Sequence, residues 1–221
     1  MNYKNILFRY CFATLGVCVV ALGIVFSVKA NLGISTLNTP AYAISAETGL
    51  SLGLCNIAFF LLCMLFQAII LRNRFQAKDL LQLVTNVLLG LMIDVFTHLL
   101  DKVNFAPSSL TGAIIFLVLS VIIQAIGISM EVSSGAWMLP ADMTVRAIGL
   151  AWGGKFSDNK IKMDCSVLAI AALMCLIFFG NILGPQGQPI IGWGTLVLAV
   201  CIGLCMKVTS PIINRIPFLK G

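Results

Sequence analysis

Asp142 and Arg146 stand four residues apart in a mostly apolar stretch, in a segment that begins at Pro140. On a helix this spacing places both side chains on one face, with the acid toward the N-terminus, where the helix dipole favours it. If the segment lies inside a membrane, the pair is expected to bind a substrate amine, a coupling cation or a substrate carboxylate. The alternative is an amphipathic helix on the membrane surface, in which Asp142 only caps the N-terminus.

Three further ionisable residues could carry a proton or an ion. Glu131 lies near the end of an apolar run, and its side chain reaches the membrane surface less readily than that of Lys29. Asp94 and His98 are one helical turn apart, and a carboxylate near an imidazole suits a proton relay. A solvated pair at the membrane surface is the alternative for Asp94 and His98. We predict coupling or relay roles for Glu131, Asp94 and His98.

Small polar residues gather at two breaks in the apolar pattern, and each break is followed by a proline. Proline favours the first turn of a helix, while Ser, Thr, Asn and Asp favour the position before it. Each break is therefore predicted to join a long helix to a short one. Trp137 directly precedes the second restart, which makes it a candidate for substrate contact instead of membrane anchoring. The predicted substrate-binding residues are Asn31, Ser35, Thr36, Asn38, Trp137, Pro140, Asp142 and Arg146.

The composition indicates an integral membrane protein. Of the 221 residues, 60% are hydrophobic and 10% are charged, whereas about a quarter are charged in a soluble domain. The mean hydropathy is +1.04. A bilayer-spanning helix needs about 20 apolar residues. Such runs occur at roughly 11–28, 52–71, 80–100, 110–130, 164–183 and 190–210. They leave no room for a soluble domain, and no small-residue cleavage site follows the first run, so a cleavable signal peptide is not expected.

Catalytic and metal-binding motifs are missing from the sequence. There is no His-Glu-x-x-His helix, no Gly-x-Ser-x-Gly elbow and no phosphate-binding loop ending in Gly-Lys-Ser/Thr. The eight cysteines lie almost entirely in apolar runs, where they pack as small hydrophobic residues. We therefore expect no enzyme activity, no metal and no cofactor.

The basic residues predict the orientation in the membrane. They are concentrated in residues 1–10, 71–79 and 146–162 and in the carboxyl-terminal tail, while 101–110 has one Lys against one Asp and 181–190 has no charge. With six spans, every basic connection falls on one side, which the positive-inside rule assigns to the cytoplasm. The net charge of +6 thus reports orientation, and no nucleic-acid partner is expected. The predicted location is the bacterial inner membrane, with both termini cytoplasmic.

An internal repeat accompanies this topology. Residues 21–24 (ALGI) match residues 125–128 (AIGI) at a shift of 104, which also places Asn38 on Asp142. A slightly longer shift places Cys55 on Cys165 and Thr85 on Thr195. Such matches at a fixed shift are typical of a duplicated structural unit.

The repeat predicts two halves of the chain, 1–104 and 105–221. Each half has three spans and a short helix, at 36–48 in the first half and at 140–152 in the second. Because three is odd, the second half enters the membrane from the other side, and the repeats are inverted. The predicted fold is an all-α integral membrane bundle of about six transmembrane helices plus two short broken or re-entrant helices. Many secondary transporters have this architecture and bind substrate between the repeats.

The chain resembles the YitT/YczE/YyaS family of small bacterial polytopic membrane proteins. The resemblance rests on residues 30–35 (ANLGIS), residues 48–53 (TGLSLG), Pro140-x-Asp142 and Gly194-Thr195. It covers nearly the whole chain. The family implies a polytopic inner-membrane protein and leaves the biochemical activity open.

These observations lead to a functional expectation and one alternative. We expect a secondary carrier of a small organic solute, with a site at the interface of the two repeats and proton or cation coupling. The partners are then a small-molecule substrate and the lipid bilayer, and the sequence leaves open whether the protein is a homodimer. The alternative is a non-transporting membrane protein that acts as partner or regulator of another membrane complex. The sequence does not specify the substrate, the direction of transport or the coupling ion.

Overall fold

The computed structural model describes residues 3–136, 138–154 and 156–216, and within these ranges the regular structure is helical throughout. The α-helices are α1 (Tyr3–Ala30), α2 (Thr39–Thr48), α3 (Leu52–Leu71), α4 (Gln82–Lys102), α5 (Leu110–Ser134), α6 (Pro140–Trp152), α7 (Phe156–Phe179) and α8 (Trp193–Ile213). Short 3-10 turns lie at Thr36–Asn38, Arg72–Arg74 and Ala77–Leu81.

Six segments in the described part of the chain are long and apolar enough to cross a membrane: Leu7–Ala30, Leu52–Leu71, Asp79–Lys102, Leu110–Ser134, Asn159–Phe179 and Trp193–Ile213. The predicted all-helical membrane fold with six spans is thereby confirmed. Short helices also occur where they were predicted, since α2 with its preceding 3-10 turn covers 36–48 and α6 covers 140–152.

The centre of the bundle is the contact between α1 and α5, the most extensive contact between two helices. A methyl group on Gly16 would lie 2.9 Å from the carbonyl oxygen of Gly127, so the two backbones meet with no side chain between them. Further along, the hydroxyl of Ser120 donates to the carbonyl oxygen of Gly23 at 2.8 Å. Small residues permit this close approach, which membrane helices need because lipid is as apolar as their side chains.

The other helices are arranged around this central pair. Helix α4 packs on α1, and α8 packs on α5. Helix α6 packs on α3 and α7, and α2 packs on the same two helices. Both short helices reach the interior, because Ala41 of α2 and Ala141 of α6 belong to the buried apolar cluster that includes α1, α3 and α4.

Many large apolar side chains face outward. Leu62, Ile69 and Ile177 are each more than 60% exposed in the isolated chain, at 62%, 69% and 70%. Isolated exposed apolar side chains are common in soluble proteins, but a whole surface of them is suited to lipid. The polar side chains are instead gathered inside the bundle and at its ends.

The two ends of the bundle have different polar contacts. At the end where α1 begins, named here the basic end, Arg74 donates to the carbonyl oxygen of Leu150 at 3.2 Å. At the opposite end Lys29 forms an ion pair with Asp101. The Nδ2 of Asn31 there donates to the carbonyl oxygen of Gly187 at 2.7 Å.

Two glycine substitutions test the close packing of α3 on α4. A methyl group on Gly53 would overlap the carbonyl oxygen of Gly90, whereas one on Gly203 of α8 would meet no atom within 4 Å. We expect Gly53→Ala to reduce stability by about 1 to 3 kcal/mol, because overpacking forces the helices apart. The control Gly203→Ala should leave stability unchanged or raise it slightly, because Ala favours a helix more than Gly does. Thermal unfolding of the purified protein in detergent measures both, and equal melting temperatures for the two variants would contradict the close contact.

Candidate functional site

Helix α6 presents three faces to three different surroundings. The first face is fixed to α3 by Gln67, whose Nε2 donates to the carbonyl oxygen of Pro140 at 2.6 Å and to the hydroxyl oxygen of Thr144 at 2.9 Å. Gln67 is only 1% exposed. The carbonyl oxygen of Pro140 is thus already occupied by an interhelical hydrogen bond from Gln67.

The second face of α6 carries an ion pair with α7. The Nζ of Lys160 lies 3.0 Å from Asp142 and 3.6 Å from Asp164, which is one turn further along α7. The predicted pairing of Asp142 with Arg146 is therefore corrected: the partner of Asp142 is Lys160. The reason is tertiary, because α7 packs against this side of α6 and brings an ammonium group within hydrogen-bonding distance. Arg146, one turn further along α6, lines a cavity instead.

Glu131 lies near this ion pair, close to the end of α5. It is 2% exposed, and its Oε1 has no hydrogen-bond partner in the described part of the chain. Its Cγ packs beside Gly16 of α1. The Glu131 carboxylate lies near the backbone N–H of Leu139, directly before α6. A carboxylate at this position is favoured by the positive end of the α6 dipole.

The four side chains Glu131, Asp142, Lys160 and Asp164 form what is named here the charge cluster. They supply three carboxylates and one ammonium group, so the cluster is short of positive charge when all four are ionised. An uncompensated charge is costly in an apolar interior. No grouping of His, Cys, Asp or Glu among the described residues could hold a metal ion. Binding of a cation would reduce this excess of negative charge.

The third face of α6 lines a cavity of about 530 Å³ at the basic end. Met143, Arg146, Ala147 and Leu150 face it, and their spacing places them on one side of the helix. The rest of the lining comes from α1, α3, the connection before α4, the first residue of α4, α5 and the connection between α5 and α6, namely Tyr10, Leu71, Arg74, Gln76, Asp79, Leu81, Gln82, Val132, Gly135, Ala136 and Met138. The cavity volume is within the range of small-molecule sites, about 300 to 1,000 Å³.

Four polar side chains of the cavity differ in their partners. Arg146 is exposed and has no ion pair with a described residue. Arg74 donates to the Leu150 carbonyl, and Asp79 accepts from the backbone N–H of Gln76 at 2.8 Å. Gln82 is 3% exposed, and neither atom of its amide has a partner in the described structure. The cavity thus offers a guanidinium and a buried amide to an occupant.

The residues of the first break lie apart from this cavity, at the other end of the bundle. Thr36 and Asn38 are buried, and the Oδ1 of Asn38 has no partner among the described residues. Ser35 precedes the 3-10 turn without capping it through its side chain. Asn31 is exposed and bonded to Gly187. Of the predicted substrate-binding residues, Arg146 alone lines the cavity, and Trp137 lies outside the described residues.

Asp94 and His98 also lie away from the charge cluster. The two oxygens of Asp94 accept from the hydroxyl of Ser51 at 2.7 Å and from the backbone N–H of Gly53 at 2.8 Å. Asp94 therefore binds the N-terminus of α3, where unpaired N–H groups need acceptors. His98 is exposed. The geometry gives Asp94 a helix-capping contact and does not link it to His98 by a hydrogen bond.

Sequence reasoning missed Lys160, Asp164 and Gln82. The first two have a signal of their own, an ionisable pair at i, i+4 at the start of an apolar run. Gln82 has only the weak signal of an amide near the start of the third apolar run. Its position in a cavity follows from the packing of four other segments around it.

Helices of membrane-spanning length, a buried carboxylate and a cavity at one end define a polytopic helical membrane protein with an internal polar site. The chain belongs to a family of unknown function, DUF6198, whose model matches residues 7–211. It is 27% identical to the uncharacterized membrane protein YczE of Bacillus subtilis (strain 168) over 209 residues, which are 94% of this chain and 88% of that protein.

A second relative has a similar coverage. The chain is 25% identical to the uncharacterized protein YyaS of Bacillus subtilis (strain 168) over 209 residues, which cover 94% of each chain. No solved structure matches the chain. The resemblance to YczE and YyaS is confirmed, and the helical membrane fold agrees with the description of YczE as a membrane protein.

Removing Lys160 tests the charge cluster. In Lys160→Met, Asp142 and Asp164 lose their shared cation, which costs up to about 3 to 5 kcal/mol for a fully buried pair. The loss should be smaller here, because the Lys160 side chain is 28% exposed. Lys162→Met, two residues away and exposed, is the matched control. Adding Asp142→Asn to Lys160→Met should restore part of the lost stability in thermal unfolding, and strictly additive losses would contradict the ion pair.

Proposed function

We propose that the protein is a secondary carrier that moves a small organic solute across the bacterial inner membrane, coupled to a proton. The observation that carries this proposal is the Glu131 carboxylate, which is 2% exposed with one oxygen unpartnered in the described structure. Val132, the next residue of α5, lines the cavity at the basic end. A buried ionisable group beside a cavity in a membrane bundle is by default functional.

The crossing of α1 and α5 supports the inverted-repeat part of the proposal. The shift of 104 residues places Gly16 on Ser120 and Gly23 on Gly127. The observed contacts join Gly16 to Gly127 and Gly23 to Ser120. Exchanging the two halves converts each contact into the other, which is what a two-fold axis between the repeats requires.

The helix contacts follow the same exchange. Helix α4 packs on α1 as α8 packs on α5, and α6 packs on α3 as α2 packs on α7. When the two halves are exchanged, the contact of α4 with α1 becomes the contact of α8 with α5. In the same way, the contact of α6 with α3 becomes the contact of α2 with α7. This agreement supports a division into 1–104 and 105–221, with each short helix packed on one long helix of each half.

The two ends of the bundle differ at corresponding positions. At the opposite end the segments 31–34 and 190–195 pack backbone to backbone, with the Gly194 N–H donating to Leu32 at 2.9 Å and the Ile34 N–H donating to Ile190 at 3.2 Å. Their counterparts in the other half are 135–138 and 80–85. Residues of these two segments line the cavity instead. One closed end and one open end are what an alternating-access carrier has in a single conformation.

The proposed mechanism uses α6 as the shared element. It carries Asp142 of the charge cluster and, one turn further along, Arg146 of the cavity lining. A proton on Glu131 would reduce the excess negative charge beside α6 and change the balance between the closed and open ends. Solute in the cavity and proton in the cluster would then act on one helix, which gives their coupling a physical route.

Replacement of Glu131 tests the coupling. Glu131→Gln keeps the shape but cannot exchange a proton, so we expect solute-dependent proton movement to be lost. The measurement uses proteoliposomes that contain a pH-sensitive dye and are supplied in turn with a panel of small organic solutes. Glu47→Gln, at an exposed acid, is the control and should behave like the wild type. If the wild type moves no proton with any solute, the non-transporting alternative is favoured.

Thiol labelling tests the proposed orientation. In a background without the native cysteines, Gln76→Cys and Gln186→Cys place thiols at opposite ends of the bundle, both at exposed positions. The positive-inside rule assigns Gln76 to the cytoplasm and Gln186 to the outside. A membrane-impermeant reagent should therefore label position 186 in intact cells and position 76 only in inverted vesicles. Labelling of both positions from the same face would exclude this topology.

A further inference from the structure

The cavity at the basic end has an excess of positive charge. Arg74 and Arg146 line it against one acid, Asp79. One oxygen of Asp79 already accepts from the Gln76 N–H, and Asp79 forms no ion pair with either arginine in the described structure. An unpaired guanidinium beside apolar surface attracts anions, and its planar fork matches a carboxylate or a phosphate.

Gln82 supplies an independent observation. It is 3% exposed, it lines the cavity, and both its Nε2 and its Oε1 lack partners in the described part of the chain. A buried amide without partners is costly, so an occupant of the cavity that completes these hydrogen bonds would be stabilised. The Nε2 can donate to an anionic oxygen, and the Oε1 can accept from a hydroxyl or an amine.

Apolar side chains make up most of the remaining lining. Leu71, Leu81, Val132, Met143 and Leu150 all face the cavity. They offer no partner to a strongly hydrated ion and instead favour burial of carbon. The lining as a whole therefore matches a molecule with an anionic group at one end and an apolar body.

We propose that this cavity binds an organic anion, whose carboxylate or phosphate is held by Arg146 with Arg74 beside it and whose polar atoms are hydrogen-bonded by Gln82. The inference rests on the proposed function only where it takes this anion as the transported solute. The binding itself needs no transport. Two sources share this chemistry: a soluble organic acid from the cytoplasm and the headgroup of an anionic phospholipid.

Binding of four probes with the same six-carbon body tests the proposal. Hexanoate and hexyl phosphate are anionic, hexanamide is neutral and hexylamine is cationic. Each is added to the purified protein in phosphatidylcholine nanodiscs, and thermal stabilisation and calorimetric affinity are measured. The two anions should bind and stabilise the wild type at concentrations where the amide and the amine do not. Equal binding of hexanoate and hexanamide would overturn the proposal without any variant.

Variants of Arg146 locate the site. Arg146→Gln should weaken hexanoate binding about tenfold or more, which is the effect of one charge-assisted hydrogen bond. Arg146→Lys keeps the charge but loses the planar fork, so it should retain part of the affinity. Lys162→Gln, an exposed basic residue outside the cavity, should bind like the wild type. Unchanged hexanoate affinity in Arg146→Gln would overturn the assignment.

A lipid arm distinguishes the two sources. Nanodiscs with phosphatidylglycerol should stabilise the protein in an Arg146-dependent way and compete with hexanoate if the anion is a lipid headgroup. If the anion is a soluble acid, phosphatidylglycerol should leave hexanoate affinity unchanged; either result supports an anion site.

Hexanoate binding is also measured in Glu131→Gln. If anions bind but Glu131→Gln does not alter proton movement, the carrier proposal fails while the anion site stands.

Discussion

The close contact between α1 and α5 is the constraint on which the rest of the molecule depends. Lipid does not drive helices together, so their association requires that backbones approach closely over a long distance. Gly16 and Gly127 permit this approach, and a methyl group at Gly16 would lie 2.9 Å from the Gly127 carbonyl. The same contact places Glu131, four residues beyond Gly127, against α1 and away from lipid. A buried acid and a tight crossing are thus consequences of one helix pair.

Helix α6 contributes residues to both the charge cluster and the cavity. It begins next to Glu131, it is tied to α3 through Gln67, and its Asp142 is paired with Lys160 of α7. Its remaining face is left to the cavity. A short helix held on two faces by specific polar contacts is a rigid support for the third, where Arg146 stands. The charge cluster and the cavity therefore share one secondary-structure element.

The sequence predicted some of the residues of the candidate site but did not predict which residues contact each other. Glu131 and Arg146 were identified because charged residues are rare in apolar runs and have to be explained one at a time. The partner of Asp142 was predicted wrongly, since the i, i+4 rule sees only residues on the same helix. Asp94 illustrates the same limit. Its carboxylate accepts hydrogen bonds from Gly53 and Ser51 at the start of α3, which are 41 and 43 residues away in sequence.

The sequence by itself determined the number of spans, the two short helices and the helical membrane class. These depend on local properties: the length of apolar runs, the positions of proline and glycine, and the scarcity of charge. Only the tertiary structure decided that Lys160 pairs with Asp142, that Gln82 is buried without a partner in the described part of the chain, and that the second break lines a cavity whereas residues 31–34 pack on 190–195. Such properties arise from atoms that are distant in the chain and become neighbours only when the helices pack.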